Sequence, residues 1–117
     1  MKRLKKQYGC PVELSLEFVG GKWTTVILAW LKEAPHRYGE LRRRIPTVAD
    51  KVLSEKLQTL ERLGLISKKP VENSMAGYVY RLTPRGDSLR PVLNALHSWG
   101  ETMAQELDVS VRTTELE

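Results

Sequence analysis

Apolar residues recur along this chain with two different periods, and the places where the period changes divide it into elements. From Pro11 the spacing of Val12, Leu16 and Val19 is helical; Pro11 suits a first helical position, where an N–H is not needed, and Gly20-Gly21 stops the run. Trp23, Val26, Ile27, Trp30 and Leu31 then fall on one face of a second helix over residues 22–33, ended by Pro35. A short third helix over 39–45 turns Leu41 and Ile45 inward and Arg42, Arg43 and Arg44 mostly outward, and Pro46 closes it. A fourth helix runs from about 49 to 63. On a helical wheel Leu57, Leu60 and Gly64 lie within about 40° of Leu53, while Lys51, Glu55, Gln58 and Arg62 lie opposite. Gly64 is a good C-terminal stop, because glycine enters the left-handed conformation without penalty.

Beyond Gly64 the pattern becomes that of strands. Residues 65–71 and 78–83 are β-prone, and the turn-forming stretch Asn73, Ser74, Met75, Ala76, Gly77 between them predicts a hairpin with Tyr78, Tyr80 and Leu82 on one face. Thr83-Pro84 reads as an N-cap followed by a first helical residue. Leu89, Val92, Leu93, Leu96, Trp99, Met103 and Leu107 then predict one long amphipathic helix to about 107. Residues 1–9 read as a flexible basic tail and 108–117 as a frayed one. The expected architecture for 10–107 is mainly α with a small antiparallel β-hairpin: a winged helix-turn-helix extended by helices at both ends.

Composition narrows the function more than the fold. A chain of 117 residues, 41% hydrophobic and 28% charged, has room for one domain and one core. Its longest apolar run, residues 26–31, is far short of a membrane span, and the basic start is followed by Gln7, Tyr8 and Gly9 rather than an apolar signal segment. The expectation is a cytoplasmic protein with no membrane partner. One cysteine, Cys10, excludes an intrachain disulfide and a cysteine-cluster metal site, and two separated histidines argue against a mononuclear one. No cofactor is expected. Nor is an enzyme: there is no Ser, His and Asp set, no carboxylate pair, and Gly20-Gly21-Lys22 lacks the spacing of a phosphate-binding loop.

The net charge of +5 is unevenly spread: residues 1–6 carry +4, 36–46 carry +3, 49–64 carry 0, 65–86 carry +3 and 87–117 carry −4. Positive charge therefore sits where phosphates would be met, and the acidic C-terminal third would be repelled by them. Helix 3, the turn at 46–48 and helix 4 together have the dimensions of a helix-turn-helix over 37–64. On the outer face of helix 4, Lys51, Ser54, Glu55 and Gln58 can read base edges, since Gln pairs bidentately with adenine, Lys donates to guanine and Glu accepts from cytosine. Arg37, Arg42, Arg43 and Arg62 are placed for phosphates. Lys68, Lys69 and Arg81 make the hairpin a basic wing with Asn73 and Ser74 at its tip. A helical bundle with a merely solvated basic face would show the same exposed arginines. The stripe of the last helix, Leu89, Val92, Leu96, Trp99 and Met103, is wider than one small core needs, and it either folds back over helix 2 or covers a second copy of the chain.

Several motifs in order resemble the HxlR family of bacterial winged-helix regulators. They are Cys10-Pro11-Val12, Gly20-Gly21-Lys22-Trp23, Arg37-Tyr38-Gly39-Glu40-Leu41, Val52-Leu53-Ser54 with Leu57 and Leu60-Glu61, Gly64-Leu65-Ile66, and Tyr80-Arg81-Leu82-Thr83 with Gly86, spanning about 10–106. The resemblance implies a homodimer on a two-fold symmetric double-stranded DNA operator. It also implies helix 4 as recognition helix and a dimer contact from the first and last helices, here Val12 and Leu16 with Leu89, Val92, Leu96, Trp99 and Met103. The chain departs from the family's usual hydroxyl before helix 4, having Ala49-Asp50 there, which leaves Thr47 or Asp50 to cap; Met75-Ala76-Gly77 replaces a Pro-rich wing tip.

Cys10 lies at the start of helix 1, where free amides and the positive dipole end favour a thiolate. It resembles the cysteine by which family members sense oxidants or electrophiles, through an intersubunit disulfide or alkylation. A small residue without a regulatory role fits the position equally. A regulator answering to a small molecule held among Trp23, Trp30, Tyr80 and Trp99 is the second reading, although those aromatics also have core spacing.

Overall fold

A computed structural model describes residues 4–71 and 77–111. Helices α1 (Pro11–Val19) and α2 (Lys22–Glu33) are followed by strand β1 (His36–Arg37), α3 (Tyr38–Arg44), α4 (Asp50–Arg62), strands β2 (Ile66–Pro70) and β3 (Tyr78–Leu82), and then α5 (Pro84–Asp87) and α6 (Arg90–Glu106). The mainly helical winged helix-turn-helix expected from the periodicity is what forms. Its core is built on α2, whose Ile27, Leu28, Trp30 and Leu31 are buried against Leu41 and Ile45 of the third-helix segment, Leu53, Leu57 and Leu60 of α4, and Leu93 of α6.

The hairpin is part of a three-stranded antiparallel sheet in the order β1-β3-β2. The two-residue β1 has too short a pattern to be visible as alternation. It pairs His36 with Tyr80 and Arg37 with Val79. His36 is buried there, its Nδ1 2.7 Å from the Ala34 carbonyl oxygen and its ring edge-on to Trp30.

The single long C-terminal helix expected from the apolar stripe is instead two. Pro91 has no N–H to give the carbonyl of Asp87, so the chain breaks between α5 and α6 and resumes with proline in the first turn, where the donor is not needed. Thr83 is the N-cap of α5, as its position before Pro84 predicts, and its hydroxyl accepts from the Gly86 amide. At the other end of α6, Asp108 adopts φ 56° and the amides of Asp108 and Val109 return to Gln105 and Ala104, so these two residues of the expected tail close the helix. In the N-terminal tail the Tyr8 hydroxyl donates to Glu17 across α1.

The exit from α4 is the most constrained turn. Gly64 has φ 76°, its amide bonds to the Glu61 carbonyl, and the Leu65 amide bonds to Leu60, two contacts that close the helix end. Segment 83–86 packs directly on this turn. The Thr83 hydroxyl donates to the Gly64 carbonyl, the Thr83 amide to Leu65 and the Arg85 guanidinium to Leu63. Gly86 lies so close that a Cβ on it would sit 2.0 Å from the Leu65 carbonyl oxygen, a backbone atom with no room to move. Gly86→Ala should therefore cost about 3 kcal/mol and lower the melting temperature by more than about 10 °C. Gly100→Ala, with nothing within 4 Å of the new Cβ, should leave the melting temperature unchanged or raise it, because alanine favours the helix by about 1 kcal/mol. Thermal denaturation of the two variants beside the parent checks both.

Candidate nucleic-acid interface

The segment expected to read DNA consists of α3, the turn and α4. The inner face of α4 is held by Leu53, Leu57 and Leu60, all buried, and its outer face presents Lys51, Ser54, Glu55, Gln58 and Arg62 to solvent. Such a helix can enter a groove without exposing apolar surface.

Its N-terminus is fixed by tertiary contacts, not by a cap. Ala49 is the N-cap residue and supplies no side-chain bond, so neither Thr47 nor Asp50 caps the helix as expected. Asp50 is the first helical residue, and its carboxylate serves α3 instead: Oδ1 accepts from the Tyr38 hydroxyl at 2.9 Å and pairs with Arg42 Nε at 2.8 Å. A second nitrogen of Arg42 donates to the Val48 carbonyl in the turn. Arg42, assigned to a phosphate from its place in the sequence, is thus committed to clamping the two helices together. Ser54 lies one turn along, its Oγ 3.5 Å from the Tyr38 oxygen. Tyr38 and Asp50 were missed as site residues because their partnership spans twelve positions and leaves no local signature.

The α3 helix starts on a similar contact. Glu40 accepts from the Arg37 amide at 2.7 Å. That bond, with the nearby charges of His36, Arg37 and Arg43, holds the Glu40 carboxyl below the usual glutamate range against a smaller opposing effect of burial. Arg37 and Arg43 themselves are exposed on the surface.

Strand register sorts the remaining cations. Ser67 faces Arg81 and Lys69 faces Val79, while Arg37 also pairs with Val79, so Arg37, Lys69 and Arg81 share the sheet face opposite Tyr80. Lys68 belongs to the other face. It lies over the Tyr78 ring and 3.9 Å from Glu61, joining the wing to α4. Asn73 and Ser74, the expected wing tip, lie outside the described residues.

Two other candidate groups are at different places. Val12 and Leu16 of α1 and Val92, Leu96 and Trp99 of α6 are exposed, Trp99 to 66%, while Leu89 and Met103 are half-buried. It is Leu93 that carries α6 into the core. Cys10 is exposed at the N-cap of α1, and its amide and that of Gly9, both ahead of the helix, donate to the Glu13 carboxylate. The aromatic quartet does not assemble into a pocket: Trp30 and Tyr80 are buried core, Trp23 is half-buried beside Lys22, and Trp99 lies out on α6.

The model of the HxlR-like helix-turn-helix family matches residues 18–108. The uncharacterized HTH-type transcriptional regulator YkvN of Bacillus subtilis is 37% identical over 101 residues, 86% of this chain and 86% of that protein. Among solved structures, the redox regulator HypR in its reduced form superposes with a TM-score of 0.78 at 28% identity, covering 86% of this chain and all (100%) of that one. Its oxidized form gives 0.75 at 30% identity, covering 80% and 96%. A helix-turn-helix with one rigid, polar-faced helix, a basic hairpin beside it and a family model spanning most of the residues lead to one assignment: this chain belongs to the HxlR-like helix-turn-helix family of transcriptional regulators.

Proposed function

We propose that this chain is a sequence-specific double-stranded DNA-binding repressor that acts as a homodimer on a two-fold symmetric operator and is switched through Cys10. The observation that carries the DNA reading is α4 itself, pinned at both ends and along its inner face while Lys51, Glu55 and Gln58 stay exposed on the outside and Ser54 sits beside them, donating to the Tyr38 oxygen. Rigid placement is what base discrimination needs, because each bidentate contact depends on sub-ångström alignment. The affinity comes from elsewhere. Helix 4 and its flanks carry no net charge over 49–64, so Arg37, Arg43, Arg62 and the wing cations supply the phosphate contacts.

The dimer reading rests on the apolar side chains left uncovered on α1 and α6, the two helices at opposite ends of the chain. Large exposed aliphatic and aromatic groups grouped on helix faces mark partner surfaces, with Trp99 and Leu96 as anchors. Pairing two subunits also aligns two copies of α4 with the half-sites of a symmetric operator. The switch reading rests on an exposed thiol on α1, close to that proposed dimer surface, and on the likeness to a protein described as a redox regulator.

Gel-shift titration against the DNA upstream of the gene itself tests the DNA reading. Gln58→Ala should lose about tenfold discrimination at one base position of each half-site. Arg81→Ala should weaken every sequence alike without changing the melting temperature, whereas Arg42→Ala should weaken binding and lower the melting temperature together. With Arg37, Arg43, Arg62, Lys68, Lys69 and Arg81 neutralising roughly twelve phosphates per dimer, log affinity should fall with log salt at a slope of about −11. A flat salt response with no sequence preference would refute the proposal. In sedimentation the parent should run as a dimer and Trp99→Arg as a monomer; a monomeric parent removes the dimer. Diamide should release the parent from its operator and leave Cys10→Ser bound, and release of the serine variant would exclude the thiol.

A further inference from the structure

We infer that the groove between α1 and the α5–α6 junction is a binding site for a small apolar carboxylate, and that α4 feels its occupancy through Arg85. The groove holds about 260 Å³ and is walled by Leu14, Phe18, Leu65, Leu89 and Val92, with Arg85 among its lining residues. That is below the ~300–1,000 Å³ of sites for drug-sized ligands, which limits the occupant to a single ring or a short branched chain. An apolar wall with one cation selects an apolar body carrying one negative charge.

The polar groups of the groove leave only the guanidinium to meet that charge. Ser15 spends its hydroxyl on the Pro11 carbonyl and Ser88 on that of Arg85. Arg85 has five N–H donors, of which Nη1 is engaged at 2.9 Å by the Leu63 carbonyl, and no carboxylate among the described residues pairs with it. A planar fork fixed by one bond and open on the rest is suited to bidentate capture of a carboxylate.

The same bond supplies the coupling. Leu63 is the C-cap residue of α4, and Arg85 reaches it by passing over the bare α-carbon of Gly64, where a Cβ would come within 2.8 Å of Nη1. An anion held on the open donors draws the guanidinium toward the groove, which strains its bond to the Leu63 carbonyl and loosens the end of α4. By linkage, DNA held by α4 must weaken the anion to the same degree. This second half rests on α4 being the reading helix; the binding half does not.

Benzoate, with neutral benzamide as its isostere, is the probe, titrated into the ¹⁵N-labelled full chain and into the operator gel shift. Benzoate should move the amide resonances of Leu63, Leu65, Ser88 and Leu89, bind at least tenfold more tightly than benzamide, and lower operator affinity severalfold. Arg85→Gln should lose at least tenfold in benzoate affinity. Because that variant also removes a contact from α4, Ser15→Phe, which fills the groove and leaves Arg85 in place, should give the same loss with an unchanged melting temperature. The site is overturned if benzoate moves none of these resonances, as it would if a second copy's side chains fill the groove, if benzamide binds equally, or if neither variant matters. Benzoate binding with operator affinity unchanged overturns the coupling alone. Benzoate binding in a protein that binds no DNA refutes the regulator reading and leaves the site standing.

Discussion

Three consecutive carbonyl oxygens at the end of α4, those of Leu63, Gly64 and Leu65, are all taken by two residues far along the chain. Arg85 takes the first, and the hydroxyl and amide of Thr83 take the second and third. Helix ends normally leave such acceptors to water, and burying them unpaired would cost about 1–3 kcal/mol each. Meeting them with one short segment does more than satisfy them. It fixes the direction in which α4 leaves the core relative to β2 on one side and α6 on the other, and Gly86 is the residue small enough to let the segment approach. The relation between the proposed reading helix and the proposed dimer arm is thus set at a single junction.

The front of α4 is held by a different kind of contact. Arg42, Tyr38 and Asp50 form a polar clamp on the surface, where water competes and an exposed ion pair contributes about 0–1 kcal/mol. Its value is geometric: the bonds fix the angle between α3 and α4 that the buried leucines alone would leave soft. A helix pinned apolarly along one side and polarly at both ends is a rigid platform, and the charges of its segment, residues 49–64, cancel to zero. Selectivity and affinity are divided between separate parts of one small domain.

Much of this was legible in the sequence, because α2, α4 and the hairpin bury one face each and therefore repeat with clean periods. Gly64 and the pair Thr83-Pro84 announced their turns for the same local reason: their conformational preferences act within a few residues. What the periodicity could not show is non-local. The strand β1 is two residues long and exists only because β3 offers it partners. The apolar stripe from Leu89 to Leu107 hid the break at Pro91, since burial runs on across it while the backbone hydrogen bonding does not. Arg42 looked like its neighbours Arg43 and Arg44, and only the fold distinguishes a side chain aimed at Asp50 from one laid over the Trp30 ring, as Arg44 is.

The sheet order also has a bearing on solubility. With β3 in the middle, β2 is an outer strand with its free edge unpaired by the sheet, and an edge of this kind is a template on which another chain can add. Its sequence, Ile66–Pro70, ends in two lysines and a proline. Proline removes a donor from the strand, and an edge-to-edge pair of two copies brings four lysine charges close together. The lysines proposed to meet phosphate therefore also guard the wing against its own kind, so that replacing them with neutral residues would invite aggregation of a correctly folded protein.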